Sequence, residues 1–119
     1  MNKINLILKK CGIQPQLRGH DYLHEAIKLV LEDRNNMSVS KILYPRIAKK
    51  FNVTASKVER AIRNAIEIAF NNLDPNVIFE IFGNTIPLHK DKPTNSHFIA
   101  TIAELLRDGE NSGGENEDI

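Results

Sequence analysis

Basic side chains are concentrated in one stretch of this 119-residue sequence. Residues 41–63 contain seven of them, with Glu59 as the single acid in the stretch. A guanidinium group can donate two hydrogen bonds to O6 and N7 of guanine, and a carboxylate can accept one from N4 of cytosine. Ammonium groups suit the phosphate oxygens of a nucleic-acid backbone. The stretch therefore has the chemistry to bind a polyanion, although a solvated helix face would have the same composition.

The spacing of apolar residues places this chemistry on one side of a helix. From Val58 to Phe70 apolar residues recur with a helical period, which predicts a helix over about residues 55–71 with its polar side chains on the opposite face. If this is the second helix of a helix-turn-helix, it enters the major groove by its N-terminal end. We therefore predict base contacts for Glu59, Arg60 and Arg63. Backbone or flanking contacts are predicted for Lys49, Lys50, Thr54, Ser56, Lys57 and Asn64.

A second helix joined by a tight turn would hold that face in position. Ala48 is small enough for two helices to approach closely, and Asn52 is a residue type that tolerates the left-handed backbone of a sharp turn. Thr54 is a suitable N-cap for the helix that follows. The sequence thus predicts a helix-turn-helix over about residues 44–63. Its apolar contacts are expected from Ile47, Phe51, Val53, Val58 and Ile62.

Four further helices are indicated by the same period and by typical capping residues. They cover residues 3–11, residues 21–33 with Asp21 as N-cap, a short segment between Asp74 and Gly83, and a last helix from about residue 95. Residues 34–40 are expected to form a polar loop, and no segment shows sustained strand alternation. We predict an all-α fold: a six-helix single domain that contains the helix-turn-helix.

The chain divides by charge after residue 107. Residues 108–119 contain five acids and no Lys or Arg, so residues 1–107 carry a net charge of +6 although the whole chain carries +1. The acidic segment is also rich in Gly and Asn. We predict a helical DNA-binding domain over residues 1–107 and a disordered acidic tail over residues 108–119.

Composition limits the remaining classes of function. Cys11 is the only cysteine, which excludes a disulfide framework and a Cys-based zinc site, and its apolar neighbours predict a buried thiol. No apolar run approaches the ~20 residues of a membrane span. The N-terminus lacks the pattern of a secretory signal, so a cytoplasmic location is expected.

Two other kinds of protein compete with a DNA-binding domain. An enzyme is disfavoured because no catalytic triad order, phosphate loop or carboxylate pair stands out. His20 and His24 lack a third metal ligand at useful spacing, and His20 is expected to precede the helix; we expect no metal and no cofactor. The second alternative is a helix-turn-helix protein-interaction module that does not bind DNA. Such a module would present apolar or mixed groups where this chain has Lys57, Arg60 and Arg63.

Five stretches of the sequence also resemble one family, in order and spacing, from about residue 4 to residue 107. They are Tyr-Leu-His-Glu-Ala-Ile (22–27), Leu-Tyr-Pro-Arg-Ile-Ala-Lys-Lys-Phe-Asn (43–52), Thr-Ala-Ser-Lys-Val-Glu-Arg-Ala-Ile-Arg (54–63), Ile-Phe-Gly (81–83) and Lys-Pro-Thr-Asn-Ser (92–96). The chain resembles the C-terminal effector domain of the stage zero sporulation protein A family, response regulators of endospore-forming bacteria.

This resemblance implies a transcription regulator that binds double-stranded DNA at short boxes similar to TGTCGAA, often in tandem copies. It assigns base contacts to Glu59 and Arg60. The family commonly has Arg at position 57, and Lys57 lacks the bidentate geometry of a guanidinium group. The resemblance further implies a homodimer on tandem boxes and a contact with the RNA polymerase sigma subunit through residues 71–82. That segment has five apolar residues, which are too many for one face of a short helix. The helix is therefore either buried on two sides, as we expect, or shows a partner an apolar patch.

Overall fold

The computed structural model describes residues 2–33, 38–87 and 90–117, with side chains described as far as residue 109. Within these residues the chain is all-helical and has no strand, as predicted. Its six α-helices are α1 (Lys3–Lys10), α2 (Arg18–Glu32), α3 (Tyr44–Phe51), α4 (Ala55–Asn72), α5 (Pro75–Phe82) and α6 (Asn95–Glu117). A single π-helical turn, Val39–Leu43, leads directly into α3.

Local hydrogen bonds explain where several helices begin and end. The Asn2 side chain accepts from the amides of Ile4 and Asn5 at the start of α1. Asp74 accepts from the Asn76 amide at 2.8 Å, and Gly83 ends α5 with a φ of +58°, as the sequence predicts. These contacts satisfy amides that have no partner inside the helix.

Two predicted boundaries are wrong. Helix α2 begins at Arg18 rather than at Asp21, and Asp21 is therefore not its N-cap. Leu17 occupies that position without a side-chain cap, while Asp21 lies in the first turn, where a negative charge favours the helix dipole. Of the predicted loop 34–40, residues 34–37 lie outside the described residues. Val39 and Ser40 are helical instead. The Ser38 side chain accepts from the Lys41 amide, and the Leu43 amide donates back to the carbonyl of Ser38, which closes the turn.

Helix α4 forms the centre of the core. Its inward face is buried from Val58 to Phe70. Helix α2 makes its most extensive contacts with α4, and α6 closes the core with Phe98, Ile99 and Ile102, each no more than 1% exposed. Cys11 is fully buried, as predicted, and burial raises the pKa of its thiol to about 12.

Helix α5 is only partly buried. Ile81 and Phe82 reach the core, where the Phe82 ring packs against Phe70 and Phe98. Val77 and Ile78 are half-buried, whereas Phe79 is 62% exposed. The expectation of burial is therefore confirmed for Ile81 and Phe82 only. It is met in part by Val77 and Ile78 and is wrong for Phe79.

Helix α6 continues beyond the predicted domain boundary to Glu117. The Arg107 guanidinium donates a 2.6 Å hydrogen bond to the carbonyl oxygen of Val30, which ties α6 to the last turn of α2. The backbone thus remains helical into the segment predicted to be a tail, while side chains from residue 110 onward lie outside the described set. The division after residue 107 stays a prediction. No helix among the described residues is both long and apolar enough to cross a membrane.

Candidate nucleic-acid interface

Helices α3 and α4 and the turn between them form the helix-turn-helix. Asn52 adopts the left-handed conformation expected of it, with φ +55° and ψ +48°. The Val53 amide then donates to the carbonyl of Ala48 at 3.0 Å, and the Thr54 hydroxyl accepts from the Lys57 amide at 3.1 Å. One left-handed residue therefore ends α3, and an N-cap two residues later starts α4, as the sequence predicts.

The two helices are locked by apolar contacts, with one difference from the prediction. Ile47 and Ala48 of α3 are buried, as are Val58 and Ile62 of α4. Phe51 is 37% exposed, and its ring meets Tyr22 of α2 edge-on, with centroids 5.1 Å apart. Phe51 therefore lies at the surface and packs α3 against an aromatic partner on α2.

The outward face of α4 carries the predicted polar side chains. Five of them are exposed, and Glu59 and Glu67 are half-buried at its edges. The exposed set is Ser56, Lys57, Arg60, Arg63 and Asn64. The structure thus brings most of the predicted contact residues onto one open surface whose opposite side is the core.

Charges on this face are unevenly compensated. Arg63 Nη1 lies 2.7 Å from Glu59 Oε1, one turn away, so these two side chains neutralise each other. Arg60 Nη2 donates to the hydroxyl of Ser56 at 3.1 Å, which leaves its charge unneutralised. An exposed ion pair between residues four apart is worth only about 0.3–0.5 kcal/mol. The ion pair between Glu59 and Arg63 can therefore open at small cost, which leaves both side chains able to contact another group.

The adjacent lysines of α3 differ in their surroundings. Lys49 is exposed, and no ion pair is found for it among the described residues. Lys50 Nζ lies 2.8 Å from the Glu25 carboxylate and 5.8 Å from the centroid of the Phe51 ring. Glu25 is the buried charged residue of the described core, at 7% exposure, and Lys50 is its counterion. The ammonium group of Lys50 is thus partly committed to stabilising the fold.

Asn95 is a residue that the sequence reasoning did not single out. Its Nδ2 donates to the Tyr44 hydroxyl at 2.9 Å and to the Glu59 carbonyl at 3.1 Å. One amide group therefore links the first residue of α6 to both α3 and α4. Burial raises the pKa of Tyr44 further above neutral pH, so the bridge contains the neutral hydroxyl. Asn95 lies within the family-like stretch of residues 92–96. Its hydrogen bonds to Tyr44 and Glu59 depend on the packing of α6, which the sequence does not show.

Arg18 is a second residue that was missed. It is exposed in the first turn of α2 and lines a cleft of about 420 Å³ with Lys57 and Arg60 of α4. The predicted start of α2 at Asp21 left Arg18 outside the helix, so nothing in the sequence singled it out. Its position beside α4 follows from the earlier start of the helix.

The histidines do not form a metal site in the described part of the chain. His20 and His24 both lie on α2, so the expectation that His20 precedes the helix is wrong. His20 Nδ1 approaches Asp21 at 3.3 Å, and burial lowers the pKa of His24. Among the described residues no group of three His, Cys, Asp or Glu side chains is placed to hold a metal ion. His89 lies outside them.

Comparison with known families adds one match. The family model described as "Sporulation initiation factor Spo0A C terminal" matches residues 4–106, which is nearly the whole helical chain and includes both helices of the helix-turn-helix.

Proposed function

Because the chain belongs to the family of Spo0A C-terminal domains, which are DNA-binding effector domains of transcription regulation in sporulation, we propose that it recognises short duplex boxes by inserting α4 into the major groove. The family is a regulatory one and not a class of enzymes. The observation that carries the proposal is the exposed cationic face of α4, opposite a wholly apolar inner face.

Base contacts are assigned to Arg60, Glu59 and Arg63. Arg60 has no acidic partner among the described residues, so its guanidinium group is free to donate to O6 and N7 of a guanine. Glu59 accepts from a cytosine N4 once Arg63 turns toward the DNA. The 2.7 Å pair between them sets the starting geometry of both side chains. A bidentate contact of this kind discriminates against a wrong base by about 1–3 kcal/mol.

Backbone contacts are assigned to the residues around the N-terminal end of α4 and on α3. Thr54 and Ser56 have hydroxyl groups for phosphate oxygens. Lys57 and Asn64 are exposed further along α4, and Lys49 is exposed on α3. Lys50 takes a smaller part because Glu25 already neutralises it. These contacts fix the register of the domain on the duplex without selecting sequence.

The finer features of recognition follow from the family resemblance. The proposed boxes are similar to TGTCGAA, and two copies of the chain bind as a homodimer where boxes occur in tandem. The DNA-binding domain is proposed to end at residue 107, within α6, whose backbone continues to Glu117. The acidic segment after it would compete with DNA for the basic face, since it carries the opposite charge.

A sigma-subunit contact is proposed for the segment 71–82. Phe79 is 62% exposed on α5 and lines an open groove of about 750 Å³. The groove has apolar walls from Ile78, Ile86 and Pro87, together with polar side chains such as Lys90 and Asp91. An exposed aromatic side chain in such a groove suits a partner with a complementary apolar group and a polar rim.

Selection from random duplexes at two salt concentrations tests the proposal. The chain is expected to enrich one box similar to TGTCGAA, with affinity that falls steeply as salt rises because phosphate contacts release counterions. Enrichment of no sequence, or binding that is insensitive to salt, would contradict the proposal. Failure to bind any duplex at either salt concentration would favour the protein-interaction module.

A further inference from the structure

A positively charged cleft lies between the start of α2 and the outward face of α4. Its volume is about 420 Å³. The cleft has three cationic side chains and no acidic one; its lining residues are Arg18, Tyr22, Val53, Lys57, Arg60 and Ala61. Because two different helices contribute the cations, the cleft is not simply one side of the recognition helix.

The cations of this cleft are less compensated than their neighbours. Among the described residues, Arg18 and Lys57 have no side-chain partner, and Arg60 bonds only to a neutral hydroxyl. By contrast, Arg63, Lys92 and Lys50 each pair with a glutamate within 3.1 Å. Uncompensated charges in a concave site raise the local concentration of an anion.

The packing of α2 on α4 fixes the position of Arg18. A β-carbon on the next residue, Gly19, would approach the Ala65 β-carbon to 2.7 Å and the carbonyl oxygen of Ala61 more closely still. The backbone of α2 therefore touches α4 one residue beyond Arg60. Arg18 is held at the side of α4, next to the end that would enter the groove.

We propose that this cleft binds one phosphate of the DNA backbone and that Arg18 is its principal ligand. The inference rests on the proposed docking of α4. A helix in the major groove, about 12 Å wide, has a sugar-phosphate strand on each side. A guanidinium group at the flank of α4 meets one of these strands and can bind a phosphate in bidentate fashion. Lys57 adds a second charge to the same site.

The test compares Arg18→Ala, Arg18→Lys and Lys9→Ala in the full chain, each titrated with the selected box and with random duplex over a range of salt. Arg18→Ala is expected to weaken both duplexes by the same several-fold factor and to lower the slope of log affinity against log salt by ~0.9. Arg18→Lys should keep the slope. Lys9→Ala removes an equal charge from an exposed position on α1, a helix that packs mainly on α2 and α6. This variant should leave both the affinities and the salt slope unchanged.

Two results would overturn the inference. One is an Arg18→Ala variant with the affinity and salt slope of the unmodified chain. The other is a variant that loses its preference for the box while keeping the slope, which would indicate a base contact. Thermal unfolding of each variant confirms that the titrations compare folded proteins. The docking of α4 is judged separately, because Arg60→Ala changes the preference for the box whether or not Arg18 binds a phosphate.

Discussion

Gly19 of α2 and Ala61 of α4 are in direct backbone contact, with no room for a side chain between them. This contact joins the two helices that pack most extensively in the fold. It also places the start of α2 beside the surface that carries Arg60. The core and the proposed interface therefore both require glycine at position 19, because even the methyl group of alanine would not fit there.

The first prediction is that Gly19→Ala destabilises the fold. The added methyl group would clash with the backbone of α4, and the helices must separate, at a cost of about 1–3 kcal/mol. Thermal unfolding followed by circular dichroism measures the change. Gly109→Ala is the matched control, since a β-carbon there meets nothing within 4 Å. Equal loss of stability in both variants would contradict the assigned contact.

The second prediction separates the two lysines of α3. Lys50→Ala leaves the buried Glu25 carboxylate without its counterion and should lower the unfolding midpoint, whereas Lys49→Ala should not. Adding Glu25→Gln to Lys50→Ala should restore part of the stability, because a neutral amide needs no counterion. In DNA titrations Lys49→Ala should weaken all sequences about equally and reduce the salt slope by about 1. Identical unfolding midpoints for the two single variants would argue against the pair.

The third prediction concerns the Asn95 bridge. Asn95→Ala removes the bonds to the Tyr44 hydroxyl and the Glu59 carbonyl, and should cost about 1–3 kcal/mol at 0.5–1.5 kcal/mol for each bond. Chemical denaturation gives this quantity. Ser96→Ala, at the exposed neighbouring position, serves as the control. The bridge would be unimportant if both variants unfolded at the same denaturant concentration.

Local sequence signals predicted the helix-turn-helix well. Asn52 and Thr54 act on their own backbone within a few residues, so their residue types are sufficient to place the turn and the cap. The inner face of α4 follows from the helical period alone. These features depend on short-range geometry, which a sequence displays directly.

The missed features depend on contacts between distant residues. Arg18 meets α4 only because Gly19 permits the helices to touch, and Asn95 reaches residues 36 and 51 positions away. The pairing of Lys50 with Glu25 likewise spans 25 positions. Residue type and helical period do not indicate which residues, far apart in the sequence, come into contact. The start of α2 was misplaced for a related reason: Leu17 provides no side-chain cap, so packing rather than capping chemistry defines that end.

The fourth prediction concerns the acidic segment. A chain that ends at Arg107 should bind DNA more tightly than the full chain at low salt, because five acids no longer compete for the basic face. Arg107 is retained in the shortened chain because it bonds to Val30. The difference should shrink as salt screens the competition. Fluorescence anisotropy with a labelled box measures it, and unchanged affinity at low salt would refute this role for the segment.

The most direct measurement compares affinities for the selected box and for random duplex in the unmodified chain, Arg60→Ala and Lys49→Ala. If Arg60 contacts a guanine, its removal should cost about 1–3 kcal/mol on the selected box and reduce the ratio of the two affinities. Lys49→Ala should lower both affinities and keep their ratio. A ratio that Arg60→Ala leaves unchanged would contradict the insertion of α4 into the major groove with this face toward the bases.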